Sequence, residues 1–276
     1  MKCAPHMKCD FHIHSNCSDG ILSPEQLVEF AHEKGLDCIS LTDHDTVAGI
    51  RRAKARADEL GLGFVIGAEL STVFAGREVH VLALNLDIDA PGFDEEMQRI
   101  SDFRRERNRQ MQQKFHEHGI DIDIMSLKSD GSIGRGDVAR ELVKMGVVAS
   151  FQEAFDKYIG NGKLCYVQTK RLTPAEAIQF ALRFGGIPVL AHPKKLRMTC
   201  AEFERFLRPL VLSGLGGIEA QYFTHNNAER KFFGKMAKKY KLIVTGGSDF
   251  HDYTHGVMLG TKSFSPSSYT RTILGI

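Results

Sequence analysis

Two hydrophobic patterns alternate along residues 1–90. Short runs that are apolar almost throughout, as in buried parallel strands, are separated by segments with the 3.6-residue period of amphipathic helices. The apolar runs are CDFHIH, DCISLTDHD, FVIGAEL and REVHVLAL, of which the last two are joined by a turn at Ala75–Gly76. This order predicts an α/β fold with a parallel sheet and right-handed crossovers.

The polar segments between these runs carry helix-start signals. In SPEQLVEFAHEKG, Ser23 is predicted to be the N-cap, with Pro24 in the first turn and Gln26 completing a capping box. Thr46 is predicted to cap a second helix that ends near Gly61.

Strand signals are nearly absent from residue 91 to residue 165. One long helix is predicted from Asp94 to Gly119, and DVARELVKMG and SFQEAFDKYIG predict two shorter helices. The alternation then resumes, with strands predicted in IPVLAHP, GIEAQY and LIVTGGSDFH. The chain therefore reads as a body of about seven strands, interrupted by a helical insertion at 91–165.

Side chains of metal-binding types stand at the ends of nearly all the predicted strands. They are His12, His14, Asp43, His44, Asp45, Glu69, His192, Glu219, Asp249 and His251, with His80 inside the fourth strand. In a parallel α/β barrel the carboxyl ends of all strands open on one face, where active sites are built. Residues more than 230 positions apart are therefore expected to meet in one pocket.

Each of these residues also has an ordinary structural explanation. A lone strand histidine is more often a hydrogen-bonded core residue, and SDG at 18–20 is a common turn sequence. So many imidazoles and carboxylates at one end of a barrel would, however, be costly to bury without a compensating metal. A histidine and carboxylate set without thiolates suits Zn, Mn or Fe, and its size favours two or three ions. Metals about 3.5–4 Å apart are typical of phosphoryl hydrolysis.

Composition narrows the class of protein further. The 276 residues are 42% hydrophobic and 25% charged, as in soluble globular proteins. A net charge of +2 argues against binding long duplex nucleic acid through bulk electrostatics. The chain has no apolar run of about 18 residues and no apolar segment of the signal-peptide type, so we expect no membrane association. Six cysteines without a CxxC pair favour reduced thiols and a cytoplasmic location.

The ordered motifs DFHIH, SDG, LTDHDT, GAE, VHVLAL, AHP and GSDFH resemble those of the polymerase-and-histidinol-phosphatase (PHP) family. The resemblance is strongest to the bacterial branch that hydrolyses 3′,5′-nucleoside bisphosphates and trims RNA 5′ ends. It implies a distorted (β/α)7 barrel formed by residues 1–90 and 166–276. Residues 91–165 would then be a helical insertion that caps the active site.

The resemblance also implies nine ligands for two or three divalent ions, with Mn first and then Zn or Fe. They group as His12, His14, Glu69 and Asp249 for one ion, Glu69, His80 and His192 for a second, and Asp19, His44 and His251 for a third. A hydroxide bridging two ions would attack phosphorus in line, with Glu69, Asp249 and His251 as catalytic residues. Asp43 and Asp45 are either orienters of the histidine ligands or strand-end caps.

Arginines in the insertion are candidates for substrate binding, because guanidinium groups suit bidentate phosphate contacts. Arg135 lies in SIGRGD, which resembles the family's Arg-Pro-His stretch except that Gly136 and Asp137 replace the Pro and His. The other candidates are Arg104, Arg107 and Lys170, although a run of charges on a helix is more often a solvated face.

The predicted function is a metal-dependent phosphoesterase acting on a phosphorylated small molecule or short oligonucleotide. A 3′,5′-nucleoside bisphosphate such as 3′-phosphoadenosine 5′-phosphate is the first expectation, and a short 5′-phosphorylated oligoribonucleotide is the next. Two alternatives stay open from the sequence. One is a phosphatase for a small metabolite such as histidinol phosphate, and the other is a metal-binding accessory module without turnover.

Overall fold

The computed structural model describes residues 7–128, 131–168, 170–253, 259–260 and 264–276. Seven strands lie in these residues and form one sheet in sequence order. They are β1 (Cys9–Ile13), β2 (Cys38–Leu41), β3 (Gly63–Phe74), β4 (Arg77–Leu84), β5 (Ile187–Leu190), β6 (Gly217–Tyr222) and β7 (Ile243–Gly247).

The sheet curves into a nearly closed barrel. The chain just after β7 returns to β1, where the Asp249 amide donates to the His12 carbonyl at 2.8 Å and the His14 amide donates to the Phe250 carbonyl at 3.0 Å. Six of the seven strands contribute side chains to one buried cluster, which requires the sheet to wrap around them. The expected seven-stranded α/β barrel is confirmed.

Nine α-helices surround or extend this barrel in the part of the chain that the structure describes. They are α1 (Pro24–Glu33), α2 (Ile50–Leu60), α3 (Phe93–Glu117), α4 (Arg135–Lys144), α5 (Phe151–Ala154), α6 (Pro174–Arg183), α7 (Cys200–Leu212), α8 (Asn227–Lys239) and α9 (Ser268–Leu274). A π-helical turn, Phe155–Ile159, continues α5.

Local sequence signals fixed some helix starts and not others. Ser23 and Gln26 form the predicted capping box of α1. The prediction that Thr46 caps the next helix was wrong, because α2 begins at Ile50 after Gly49. The Thr46 hydroxyl instead accepts a hydrogen bond from the Ala48 amide at 3.2 Å, within the preceding turn.

The prediction of a wholly parallel sheet was wrong for one strand. β4 pairs antiparallel with both β3 and β5, whereas the other neighbouring pairs are parallel. The turn at Ala75–Gly76, with φ of 47° and 74°, is a hairpin connection far too short for a parallel crossover. Reversal places the first half of β4 beside the carboxyl-terminal half of β3, so that His80 pairs with Ser71. A mid-strand histidine thereby reaches the end of the barrel where other strands finish.

The strand β1 does not alternate regularly along its whole length, and the irregularity lies next to His12. Cys9 and Phe11 belong to the cluster inside the barrel. Strict alternation would send Ile13 inward as well, yet Ile13 packs outside with Leu27. The pairing with β2 is irregular between Asp10 and Ile13, as at a β-bulge, and bulges re-aim side chains next to active sites.

The helical part of the chain after residue 110 has a buried core of its own. Met111, Phe115, Val138 and Leu142 are among its members. The beginning of α3 belongs instead to the barrel core, where Phe93 packs between Phe180 and Phe184. α3 therefore joins the two cores through a single continuous helix.

Two further observations concern expectations from composition. The five cysteines among the described residues are free thiols. None of the helices in those residues combines the length and apolar character that crossing a membrane requires.

Candidate metal centre

All nine predicted ligands meet at one end of the barrel. They are His12 and His14 at β1, Asp19 and His44 after β1 and β2, Glu69 on β3, His80 on β4, His192 after β5, and Asp249 and His251 after β7. The geometry brings the whole set together, and its role in binding metal stays a prediction at this point.

Glu69 lies at the centre of the set and is fully buried. Its Oε1 is 2.8 Å from His80 Nδ1 and 2.9 Å from His192 Nε2. Its Oε2 lies 3.0–3.2 Å from one nitrogen each of three more histidines, His12, His14 and His44. One carboxylate thus faces five imidazoles, as a bridging ligand between two ions would.

The candidate ligand atoms form three groups whose members lie within 4.8 Å of one another. The groups are His12, His14, Glu69 and Asp249; His44, Glu69 and His80; and His14, Asp19, His44 and His251. The first matches the predicted set. The second contains His44 where His192 was predicted. His192 also contacts Glu69, and its ring lies beside that of His80. The third adds His14 to the predicted three.

The hydrogen-bonding pattern tests whether these residues fit metal ions. Six buried atoms of the set have no hydrogen-bond partner among the described residues, namely His12 Nε2, His14 Nε2, Asp19 Oδ1, His44 Nδ1, Glu69 Oε2 and His80 Nε2. Buried polar atoms are almost always paired. Three of the unpaired nitrogens face Glu69 Oε2 at 3.0–3.2 Å, whereas His80 Nε2 faces Glu78 Oε1 at 3.3 Å. Imidazole nitrogens and carboxylate oxygens are the atom types that bind divalent transition metals, so the residues fit such ions.

Two histidines have their free nitrogen fixed by the bond that the other nitrogen makes. His251 Nδ1 lies 2.8 Å from the Asp249 carbonyl, which can only accept, so this nitrogen carries the proton. His251 Nε2 then presents a lone pair 3.1 Å from Asp19 Oδ1. His12 Nδ1 likewise lies 2.9 Å from Glu219 Oε1, which leaves its Nε2 free toward Glu69. This is the arrangement that orients metal-binding histidines.

The carboxylates draw positive charge into the centre. Burial by itself would lower the pKa of His14, but hydrogen bonds and charge from Asp249 and Glu69 raise it to about 9. Burial would also raise the pKa of Glu69, yet neighbouring imidazoles hold it well below its usual range. His192 differs, because burial and the nearby Lys195 lower its pKa to about 4, which keeps a neutral imidazole. The centre therefore favours cations.

Glu219 is a supporting residue whose position the sequence placed incorrectly. It is the third residue of β6 rather than the strand end. Its Oε1 meets His12, and its Oε2 accepts a hydrogen bond from the His192 amide at 2.6 Å. One carboxylate therefore fixes residues that come from two different strands.

The carboxylates of Asp43 and Asp45 accept hydrogen bonds from a turn and from β3 rather than from histidine rings. Asp43 accepts from the Ser15 amide at 2.7 Å and from the hydroxyls of Ser15 and Ser18 at 2.5 Å each. Asp45 accepts from the Ser71 amide at 2.7 Å. Because the turn that Asp43 holds leads directly to Asp19, Asp43 positions the third group of ligand atoms.

Replacement of Asp43 with Ala is expected to lower the free energy of unfolding by about 3 kcal/mol, because it leaves three buried donors without their charged acceptor. Urea unfolding of the metal-loaded protein measures this value. Ser18→Ala is the matched control, since it removes one of the three bonds and should cost about 1 kcal/mol. Equal stability of the Asp43 variant and the parent protein would contradict the role of Asp43 in holding the turn.

A cavity of about 390 Å³ opens over the candidate metal ligands. Three of the four predicted substrate-binding residues line it, namely Arg104, Arg107 and Arg135. Lys170 does not line it; its ammonium lies 5.8 Å from the centre of the Phe103 ring. Asp137 is also outside the lining, where it accepts from the Gly134 amide and pairs with Lys128 and Arg140. Its charge is thereby neutralised.

The three arginines differ in how their charge is balanced. Arg104 pairs with Asp45 at 2.5 Å, and Arg135 pairs with Glu78 at 2.5 Å. Arg107 is 4% exposed and donates to Asn108 Oδ1 at 2.7 Å and to a backbone carbonyl at 3.0 Å. Burial and the neighbouring arginines lower the pKa of Arg107 well below its usual range. Among the described residues, the acceptors of Arg107 are all neutral. A buried cation in this position favours an anion in the cavity.

Sequence reasoning missed two residues that touch the centre. The Lys195 ammonium and the Tyr222 hydroxyl each lie 2.8 Å from Asp249 Oδ2. The basic stretch KKLRMT that follows AHP could have indicated that Lys195 lies near the site. Nothing in the strand GIEAQY marked its last residue, because the partner Asp249 is 27 residues away.

Comparison with known proteins places this chain in a family. The model described as PHP domain matches residues 10–165. A 5′-3′ exoribonuclease of Haemophilus influenzae is 34% identical over 246 residues, which are 88% of this chain and 90% of that protein. A 3′,5′-nucleoside bisphosphate phosphatase of Chromobacterium violaceum is 31% identical over 88% of this chain and 86% of that protein. A metal-dependent phosphoesterase candidate from Bifidobacterium adolescentis has a solved structure with a TM-score of 0.86 at 27% identity, covering 98% of this chain and 96% of that one.

Proposed function

Because this chain belongs to the PHP domain family and is a metal-dependent phosphoesterase, we propose that it hydrolyses phosphate esters of nucleotides. The first substrate is a 3′,5′-nucleoside bisphosphate, and the second is a short 5′-phosphorylated oligoribonucleotide. The observation that carries this proposal is Arg107, a buried guanidinium that has no carboxylate partner among the described residues and lines the cavity over the ligand cluster. Such a group suits a second, non-reacting phosphate. The names of the two relatives, an exoribonuclease and a nucleoside bisphosphate phosphatase, agree with it.

We propose the nine clustered residues as holders of two or three divalent ions, Mn by preference over Zn or Fe. When bound, such ions supply Lewis-acid stabilisation of charge on the phosphoryl oxygens. Glu69, Asp249 and His251 are the proposed catalytic residues within this set. The Lys195 ammonium, held by Asp249, stands where it can neutralise charge on a phosphoryl oxygen.

We propose that the helical part of the chain, residues 91–165, orients the substrate. We propose that residues 91–165 form an insertion that caps a barrel made by residues 1–90 and 166–276. Arg104 and Arg107 on α3 and Arg135 at the start of α4 reach the cavity from this side. Binding of a phosphate between these arginines and the ligand cluster would fix both ends of a bisphosphate.

A substrate panel tests this function. The Mn-loaded protein is expected to release phosphate from 3′-phosphoadenosine 5′-phosphate and mononucleotides from a 5′-phosphorylated oligoribonucleotide. Histidinol phosphate is the comparison substrate, and it lacks a second phosphate for Arg107. A higher kcat/KM for histidinol phosphate than for both nucleotides would overturn the nucleotide proposal and support the small-metabolite alternative.

Removal of metal should be visible without an activity assay. The purified protein is expected to contain two or three ions per chain, and dialysis against a chelator should lower its Tm by about 5–10 °C. An ion at one hundred times its Kd adds about 2.7 kcal/mol to the stability, and each kcal/mol shifts the Tm of a chain this size by about 2–4 °C. An ion content below one per chain together with an unchanged Tm would contradict the metal centre.

A further inference from the structure

A second groove leaves the metal-binding residues on the side away from Arg107. Its volume is about 530 Å³, and it shares Glu78, His80, Arg135 and Lys195 with the central cavity. His192 lines only this side groove. The two spaces therefore meet at the ligand cluster, and a chain-like molecule can occupy both while one of its phosphates lies at the cluster.

The side groove is basic. Four cationic side chains line it, namely Arg77, Arg135, Lys195 and Arg197, against the one carboxylate of Glu78. That carboxylate is already engaged, since it lies 2.5 Å from Arg135 and 2.6 Å from Arg171. The remaining lining residues are Asn161, Leu196 and the two histidines. Arg135 is balanced by Glu78, and Lys195 pairs with Asp249. Arg77 and Arg197 have no ion pair among the described residues, so their charge favours an anionic occupant of the groove.

Arg77 is held by a hydrogen bond to the backbone, and Arg197 stands at a backbone position of unusual conformation. Arg77 donates to the Leu196 carbonyl at 3.2 Å, which ties the β3–β4 turn to the segment after His192. Arg197 has a φ of 50°, in the left-handed region that non-glycine residues rarely adopt. Strained backbone persists where the surrounding structure holds it, and such positions cluster at functional sites.

We propose that the side groove binds the backbone phosphates of a short single-stranded oligonucleotide whose terminal phosphoester lies at the ligand cluster. This inference rests on the proposed function and deepens it, because it gives the second proposed substrate, the oligonucleotide, phosphate contacts that a mononucleoside bisphosphate does not make. Phenylalanines line the central cavity at Phe151, Phe155 and Phe223, whereas no Phe or Tyr is among the described residues lining the groove. Contacts in the groove are thus to phosphates, and they do not read base sequence.

The test compares substrate lengths in a double variant, Arg77→Gln with Arg197→Asn, where Asn tolerates a positive φ. We expect KM for a 5′-phosphorylated pentaribonucleotide to rise about tenfold, while kcat/KM for 3′-phosphoadenosine 5′-phosphate stays unchanged. The salt dependence of the pentamer KM should become shallower by roughly one log unit per log unit of salt for each lost phosphate contact. Oligo(A) and oligo(U) should respond alike.

The matched control is Arg205→Gln with Arg208→Gln, which removes the same charge from exposed positions on α7 that line neither space. This control should leave both substrates unaffected. An equal loss on the bisphosphate and the pentamer, or no loss on either in the groove variant, overturns the groove proposal. Absence of all phosphoester hydrolysis by the parent protein is a separate result, which overturns the proposed function itself.

Discussion

Replacement of Glu69 with Gln is expected to lower kcat/KM by at least about 10³-fold and to reduce the number of bound ions per chain. Loss of a residue that merely orients a metal ligand typically costs about 10–100-fold, and a shared ligand should cost more. Glu69 is fully buried, and its two oxygens face five histidines from strands and loops around the barrel. The substitution keeps the shape of the side chain and removes its charge, so the change reports on charge rather than on packing. Metal analysis and steady-state kinetics on the same preparation give both numbers.

Glu219→Gln is the matched control for the Glu69 variant. It makes the same chemical change in another fully buried carboxylate. Glu219 hydrogen-bonds to His12 Nδ1 and accepts a hydrogen bond from the His192 amide. We expect a loss of about 10–100-fold with most of the metal retained. If the two variants lose the same activity and the same metal, Glu69 has no special place in the centre.

Replacement of Arg107 with Met should raise KM for 3′-phosphoadenosine 5′-phosphate by about 10–100-fold, with a much smaller change in kcat. A charge-assisted hydrogen bond contributes about 1.5–3 kcal/mol, and an interaction with a non-reacting phosphate is made in ground state and transition state alike. The same variant should unfold with a free energy about 1 kcal/mol higher than the parent protein, because it relieves an unbalanced buried charge. Steady-state kinetics tests the predicted rise in KM, and urea unfolding tests the predicted rise in the free energy of unfolding.

Arg109→Met on the same helix is the control for the Arg107 variant. Arg109 is exposed and pairs with Glu106 on the surface of α3. Its replacement should leave KM and stability nearly unchanged, as for most surface positions. A fall in stability of the Arg107 variant with an unchanged KM would make Arg107 a structural residue and remove the main support for the second phosphate.

The sequence predicted features that depend on neighbours a few residues apart. The capping box of α1 and the span of β6 were correct, because capping and strand pattern are set within one short segment. The seven strands followed from the same local patterns together with the family motifs, although Glu69 and Glu219 lie within β3 and β6 rather than at their ends. These signals were enough to bring nine ligand candidates from distant segments into one expected site, which the fold then assembled.

Arginine burial could not be predicted in this way. Arg107 and Arg109 are two positions apart in the run RRERNR, yet one is buried over the cavity and the other is exposed. For the same reason, Lys170 was predicted at the site whereas Lys195 is found there. Both lysines lie in basic segments, but only Lys195 contacts Asp249. Which side of a charged helix or loop faces the site is set by packing against residues far away in sequence.

By itself, then, the sequence determined which residue types are candidate ligands, their order along the chain and the strands near which they lie. Only the tertiary structure decided the direction of β4, the shift in β1 that leaves Ile13 outside the barrel, and the pairing of the arginines. The physical reason is the range of the interactions. Helix caps and strand patterns need a few adjacent residues, whereas strand direction, register and charge burial depend on surfaces that meet only after the barrel closes.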